Sequence, residues 1–169
     1  DSVESMVRAV SDGFGRIDIL VNNAGIIGAA GWEEREVPDE GDWDAIYEVN
    51  VKGMQRMTYA VVDYMKERRY GKIVNIASIS GRIGTLTSLP YGVSKSGVIN
   101  MTQGLALELA PFSINVNAIC PGLLWTSMWE RIAHRWSIDP EKPEGLTPRE
   151  IFDRTIKERI PLGREQTPE

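Results

Sequence analysis

Apolar residues recur at Val3, Met6, Val7, Val10 and Phe14, a helical spacing that Gly13 and Gly15 interrupt. The run Ile17-Asp18-Ile19-Leu20-Val21 that follows reads as a strand, ended by the turn Asn22-Asn23-Ala24-Gly25. After a polar loop containing Pro38, a stripe at Trp43, Ile46, Tyr47, Met54, Met57, Val61, Tyr64 and Met65 predicts a second amphipathic helix, closed by Gly71. At 3.6 residues per turn it is about six turns long. Ile73 to Ala77 is a short apolar run suited to a buried strand ending at Ser78. Beyond a glycine-rich loop from Ser80 to Pro90, the residues Tyr91, Lys95, Val98, Thr102, Leu105 and Leu109 share one helical face until Pro111 forbids continuation. Ile114 to Ile119 is the third strand, stopped by Pro121-Gly122. A polar region punctuated by Pro140, Pro143 and Pro148 follows, in which Ser127-x-x-Glu130 and Thr147-Pro148-x-Glu150 open two short helices.

Strand and helix alternate, and the strands are apolar on both sides, which predicts an α/β fold with a parallel sheet covered on both faces. Three strands would leave a long apolar edge bare, a form natural sheets avoid. Asp1-Ser2 looks like a cap directly before a helix with no strand ahead of it, and Thr167-Pro168-Glu169 repeats the opening seen at Thr147 and stops. The expectation is a single partial domain over 1–169, with more sheet on either side of it.

Composition narrows the function classes. A net charge of -5 and no clustered Lys/Arg run argue against nucleic acid as a partner. Cys120 is the only cysteine and no Cys/His ligand spacing exists, so neither an internal disulfide nor a metal site is expected, and a cytoplasmic location is the default. The apolar runs fall well short of the roughly 20 residues of a membrane helix. A targeting peptide ahead of Asp1 would not show here.

The candidate chemistry lies at the strand ends. Tyr91 and Lys95 are one helical turn apart, so the ammonium can lie beside the phenol and favour the phenolate, making a general acid/base. The alternative is a core tyrosine with a snorkelling lysine. Ser78 lies thirteen residues before Tyr91, at the carboxyl end of an apolar strand, where open parallel sheets place ligand-contacting groups. Asn50 sits on the buried face of the second helix and must have a partner: it is either a satisfied core amide or the holder of a water in a proton relay. The Asn22 to Gly25 turn and Pro121-Gly122 each allow a plain reading as strand punctuation, but all three strands end in a marked feature on one edge.

These residues in this order, Asn22-Asn23-Ala24-Gly25, Asn50, Ser78, Tyr91-x-x-x-Lys95 and Pro121-Gly122-x-x-x-Thr126, resemble the motif series of the short-chain dehydrogenase/reductase family. The resemblance runs from Asp1 to about Thr126, and resumes more loosely at Ile160-Pro161-Leu162-Gly163-Arg164. It implies a Rossmann-like doubly wound sheet, with a catalytic core over 1–126 and a lid or substrate-binding region over 127–169. It implies NAD or NADP as cofactor and hydride transfer to or from a secondary alcohol or ketone. Tyr91 would be the acid/base, Lys95 would tune it and bind the nicotinamide ribose, Ser78 would orient the substrate oxygen and Asn50 would hold the relay water. Asn23, Ala24 and Gly25 would line the cofactor site, with Pro121, Gly122, Leu124 and Thr126 beside the nicotinamide.

One departure stands out. The family's glycine-rich phosphate turn, its NAD/NADP-choosing residue and its last strand are missing from these 169 residues, and Gly13-Phe14-Gly15-Arg16 precedes a strand instead of following one. The expectation is therefore a piece of a longer enzyme that is inactive by itself. The segment Trp125 to Glu130 resembles the lid of polyol and small-diol dehydrogenases, with a 3-oxoacyl-carrier keto reductase as the alternative substrate reading and a non-enzymatic binding protein as the alternative class. Apolar residues off the core stripes, Val51, Val62, Met101 and Leu107, together with the resemblance, predict a homotetramer or homodimer. His134 reads as a surface residue and Cys120 as small packing.

Overall fold

The computed structural model describes residues 2–84, 88–137 and 145–168; the loop prolines Pro140 and Pro143, and Asp1 of the first cap, lie outside them. The first helix, α1, spans Ser2–Phe14. It ends where Gly15 takes φ +71 and its amide bonds Ser11 O at 2.7 Å. Strand β1 is Ile19–Asn22, starting two residues later than the apolar run.

The predicted second helix is broken into pieces. Helix α2, Glu40–Tyr47, starts from a reciprocal capping box between Asp39 and Asp42. A π-helical turn over Glu48–Gly53 then leads into α3, Met54–Arg68. The π turn corrects the predicted face. Ile46, Asn50, Met54, Thr58 and Val62 are buried at a constant spacing of four, and a straight α-helix would carry such a series off its inner face. Trp43 and Tyr47, placed on the core stripe by a 3.6 period, are instead 39% and 51% exposed. Val51 and Val62, expected at an oligomer surface, are inside the chain's own core.

Strand β2, Gly71–Ile76, helix α4, Leu89–Leu109, and strand β3, Ile114–Ile119, follow the predicted order. The sheet has the order β1-β2-β3, all parallel, with Leu20 opposite Ile73 and Ile73 opposite Val116. Two crossovers of the usual right hand that step in the same direction put their helices on the same face. Accordingly one core cluster joins Val7 of α1, Leu20, Val61 and Met65 of α3, Ile73, Leu105 and Leu109 of α4, and Val116. The other face is open among the described residues: Ile19, Val21 and Ile119 are each more than half exposed. The described helices that cross between the strands thus lie on one face of these three strands.

Helices α5, Ser127–Ser137, and α6, Pro148–Arg159, pack on each other beyond the carboxyl ends of the strands. Thr147 and Glu150 form the predicted capping box of α6. At α5 the cap is Thr126, whose Oγ1 accepts from Trp129 N at 3.4 Å, so Ser127 is the first helical residue and not the cap.

Candidate active site

The three parallel strands finish side by side, and the segments leaving them are tied together. Ala77 N donates to Ile119 O at 2.8 Å, and Ile79 N donates to Pro121 O at 2.9 Å. Immediately after β2, Ser78 Oγ accepts from Ser80 N at 3.1 Å and so starts a 3-10 turn over Ile79–Gly81. That turn lies flat on α4, where Ser96 Oγ donates to Gly81 O at 2.8 Å. Sequence brings Ser78 to a strand end; the docked turn brings it to Tyr91.

Tyr91 sits in the first turn of α4 and lines the same cavity as Ser78. Burial pushes the phenol above its ordinary value, against the lowering effect of the nearby Ser78 hydroxyl. Lys95, one turn on, is 4% exposed, with Nζ 5.6 Å from the Tyr91 ring centre and donating to Ile76 O at 2.8 Å. Its burial lowers it from 10.5 to about 8. Burial is thus the largest influence on Tyr91, and the Lys95 ammonium is not among the causes of its shift.

Asn50, 2% exposed, faces the first loop after β1. Its Oδ1 accepts from Ile26 N at 2.8 Å, and its Nδ2 donates to Ile26 O at 2.9 Å and to Ser94 Oγ at 3.0 Å. These bonds join the π turn, the β1 loop and α4. A Cβ on Gly25 would lie 3.3 Å from Lys95 Nζ and 3.4 Å from Asn50 Oδ1, so the glycine keeps the space between them open.

A cavity of about 390 Å³ opens above this floor. Ser78, Tyr91, Lys95, Asn23 and Gly25 line it from β1, β2 and α4, and Pro121, Gly122, Leu124 and Thr126 from the segment after β3. Asn50 lies behind the wall and Ala24, although exposed on the same turn, is not among the lining residues. Among the described residues no cluster of three metal-ligating side chains occurs. His134 is exposed and Cys120 packs beside Ala118 and Val98.

Several residues that hold the site escaped the pattern reading. Asn75, fully buried, donates to Thr102 Oγ1 at 2.9 Å and accepts from Asn22 Nδ2 at 2.9 Å, while Asn22 also donates to Thr58 Oγ1 at 3.2 Å. This polar ladder fixes the end of β1 against β2, α3 and α4. An asparagine in the middle of the apolar run Ile73 to Ala77 was the available signal. Gln166 Oε1 accepts from Gly122 N at 2.7 Å and Gln166 N donates to Leu123 O at 3.0 Å, a contact across more than forty residues that no spacing announces.

The family model described as short chain dehydrogenase matches residues 1–136. The 3-oxoacyl-acyl-carrier-protein reductase FabG of Thermotoga maritima is 41% identical over 169 residues, covering all of this chain and 61% of that protein. Two solved structures superpose closely. A crystal structure of actinorhodin polyketide ketoreductase with NADPH has a TM-score of 0.84 at 39% identity, over 98% of this chain and 61% of that one. A crystal structure of NAD+-bound xylitol dehydrogenase has a TM-score of 0.83 at 34% identity, over 96% and 62%. The chain spans about three fifths of the length of the curated relatives it matches.

Proposed function

The chain belongs to the short chain dehydrogenase family, and from that premise we propose that it carries the proton chemistry of a nicotinamide-dependent oxidoreductase acting on a secondary alcohol or ketone. The observation that carries this reading is the meeting of Tyr91, Ser78 and Lys95 on the floor of one cavity at the strand ends. When bound, NAD or NADP accepts or supplies the hydride. The residues present fit the nicotinamide half of such a cofactor: Gly25 leaves open the space beside Lys95 Nζ, and Asn23, Pro121, Gly122, Leu124 and Thr126 border the same cavity, with Ala24 on the same turn. The family's phosphate-binding glycine turn is not found in these 169 residues, so turnover by this piece alone is not expected.

The Tyr91 hydroxyl gives its proton to the carbonyl oxygen during reduction and takes it back during oxidation. Ser78, which lines the same cavity as that hydroxyl, orients the same oxygen. The positive charge of Lys95, held below the site, favours the phenolate at the moment of transfer and serves the ribose. Asn50 fixes Ile26 and Ser94 around the gap that Gly25 leaves, which is where a relay water has two polar neighbours. Residues 1–126 form the catalytic core in this reading and 127–169 the lid over the substrate. No described helix is long and apolar enough to cross a membrane; a cytoplasmic homotetramer or homodimer completes the proposal.

The test is the absorbance of NADH and NADPH in the full-length protein with a panel of ketones and secondary alcohols. Turnover that Tyr91→Phe removes is expected. No turnover with any pair, in a folded protein that binds the cofactor, would overturn the reading.

A further inference from the structure

The cavity has two unlike sides. Its floor holds Lys95, the one charged side chain among the described lining residues, already bonded to Ile76 O. Of the lining hydroxyls, Ser78 accepts from Ser80 N and Thr126 from Trp129 N, and those of Tyr91, Ser80 and Ser127 also border the cavity. The opposite side is apolar: Ile27, Met128, Trp129 and Ile132 line it, and Tyr91 itself packs against that cluster.

This apolar side is held firmly. Trp129 is gripped by edge-to-face ring contacts, Phe152 at 5.3 Å and Trp136 at 5.7 Å. Beneath it Trp32, 5% exposed, lies under the guanidinium groups of Arg131 and Arg135 at 5.5 and 6.0 Å, and Arg131 Nε also bonds Glu33 at 2.9 Å. The packing of Trp32 leaves no room on the β1 loop, since a Cβ on Gly28 would fall 2.3 Å from Trp32 Cβ. Helix α5 is thereby fastened to the loop after β1.

We infer that the substrate of this site carries an uncharged, ring-bearing apolar group beside its reacting carbon, seated against Trp129 with Met128, Ile27 and Ile132 around it, and that Trp129 determines this specificity. The inference rests on the oxidoreductase reading. A carboxylate or phosphate on the substrate would find no guanidinium among the described lining residues. An open-chain polyol would leave hydroxyls unpaired against the apolar side, each at a loss of about tenfold in affinity. A flat ring gains the fixed indole as a stacking surface and displaces water from it.

The full-length protein is assayed by nicotinamide absorbance with the aryl ketone 1-tetralone and with xylitol and galactitol, and the binding of 1-tetralone is measured separately by calorimetry. Expected are a kcat/KM at least tenfold higher for 1-tetralone than for either polyol, a loss of tenfold or more in 1-tetralone affinity in Trp129→Ala, and recovery of most of it in Trp129→Phe. Polyol turnover equal to or better than that of 1-tetralone overturns the inference and leaves hydride transfer standing. Binding of 1-tetralone that depends on Trp129 supports the pocket even without turnover, and the oxidoreductase reading falls only if the whole panel of ketones and alcohols also gives none. Failure of 1-tetralone to bind overturns the inference whatever the polyols do.

Discussion

Gly81 rests directly on the main chain of Lys95: a Cβ at Gly81 would come within 2.6 Å of the Lys95 carbonyl carbon and 2.7 Å of its oxygen. The contact is backbone on backbone, so it cannot be relieved by a side-chain rotation. It sets how closely the turn that begins at Ser78 approaches the turn of helix that bears Tyr91 and Lys95.

Gly81→Ala should therefore lift the Ser78 turn off α4 and move the Ser78 hydroxyl away from Tyr91. A fall in kcat of about tenfold, on the scale of losing one hydrogen bond of about 1.5 kcal/mol, is expected with KM for the cofactor little changed. Because Ser78 opposes the raising of the Tyr91 phenol, the alkaline limb of the rate profile should also move to higher pH. A lower melting temperature with unchanged kcat and pH profile would make Gly81 a packing residue only.

Tyr91→Phe removes one hydroxyl and keeps the ring among its apolar neighbours. Turnover should fall by about 10² or more, the scale of a positioned acid/base, with cofactor affinity and melting temperature nearly unchanged. Near-normal turnover would place the proton donor elsewhere.

Asn50→Ala strands the amide and carbonyl of Ile26 in a buried place. A stability loss of about 1–3 kcal/mol is expected from those unmet groups, and turnover per folded molecule should fall by more than that loss explains. Denaturant titration together with active-site-normalised rates separates the two effects. A normal rate per folded molecule would reduce Asn50 to a core amide.

Lys95 gives a stability signature of definite sign. Its folded-state value is lowered from 10.5 to about 8, so between those values the unfolded chain binds more protons than the folded one. Stability then rises with pH across that window, and the penalty of the buried charge is fully present below it. Lys95→Met should remove this rise, so that the variant gains stability relative to the natural chain at pH 7 but not at pH 10.5. Equal differences at the two pH values, measured by thermal melts, would show that Lys95 titrates normally.

Association should run through the exposed side of α4, where Leu89, Val93 and Leu107 are 61%, 48% and 80% exposed, and not through Val51 or Val62. Leu107→Asp should lower the mass of the full-length protein seen by light scattering toward that of one chain. A natural protein already monomeric at working concentration would refute this.

Much of the molecule is written in local pattern. Period and punctuation place α1, α4, the three strands and the start of α6 to within a few residues, since Pro111, Gly15 and the Thr147 box act through the backbone they interrupt. The strand end singles out Ser78 as a candidate because a parallel sheet gathers its carboxyl ends on one edge, and the one-turn spacing of Tyr91 and Lys95 singles out that pair. What lies across the sequence was decided only in three dimensions. The π turn at Asn50 reverses the exposure of Trp43 and Val51, since it takes its shape from packing against α4 and the β1 loop. Two crossovers stepping the same way set the described helices on one face of the three strands, and desolvation is the largest influence on Tyr91, because burial depends on every neighbour at once. Spacing along a chain records which residues share a face; how deep that face lies, and what meets it, is a property of the packed whole.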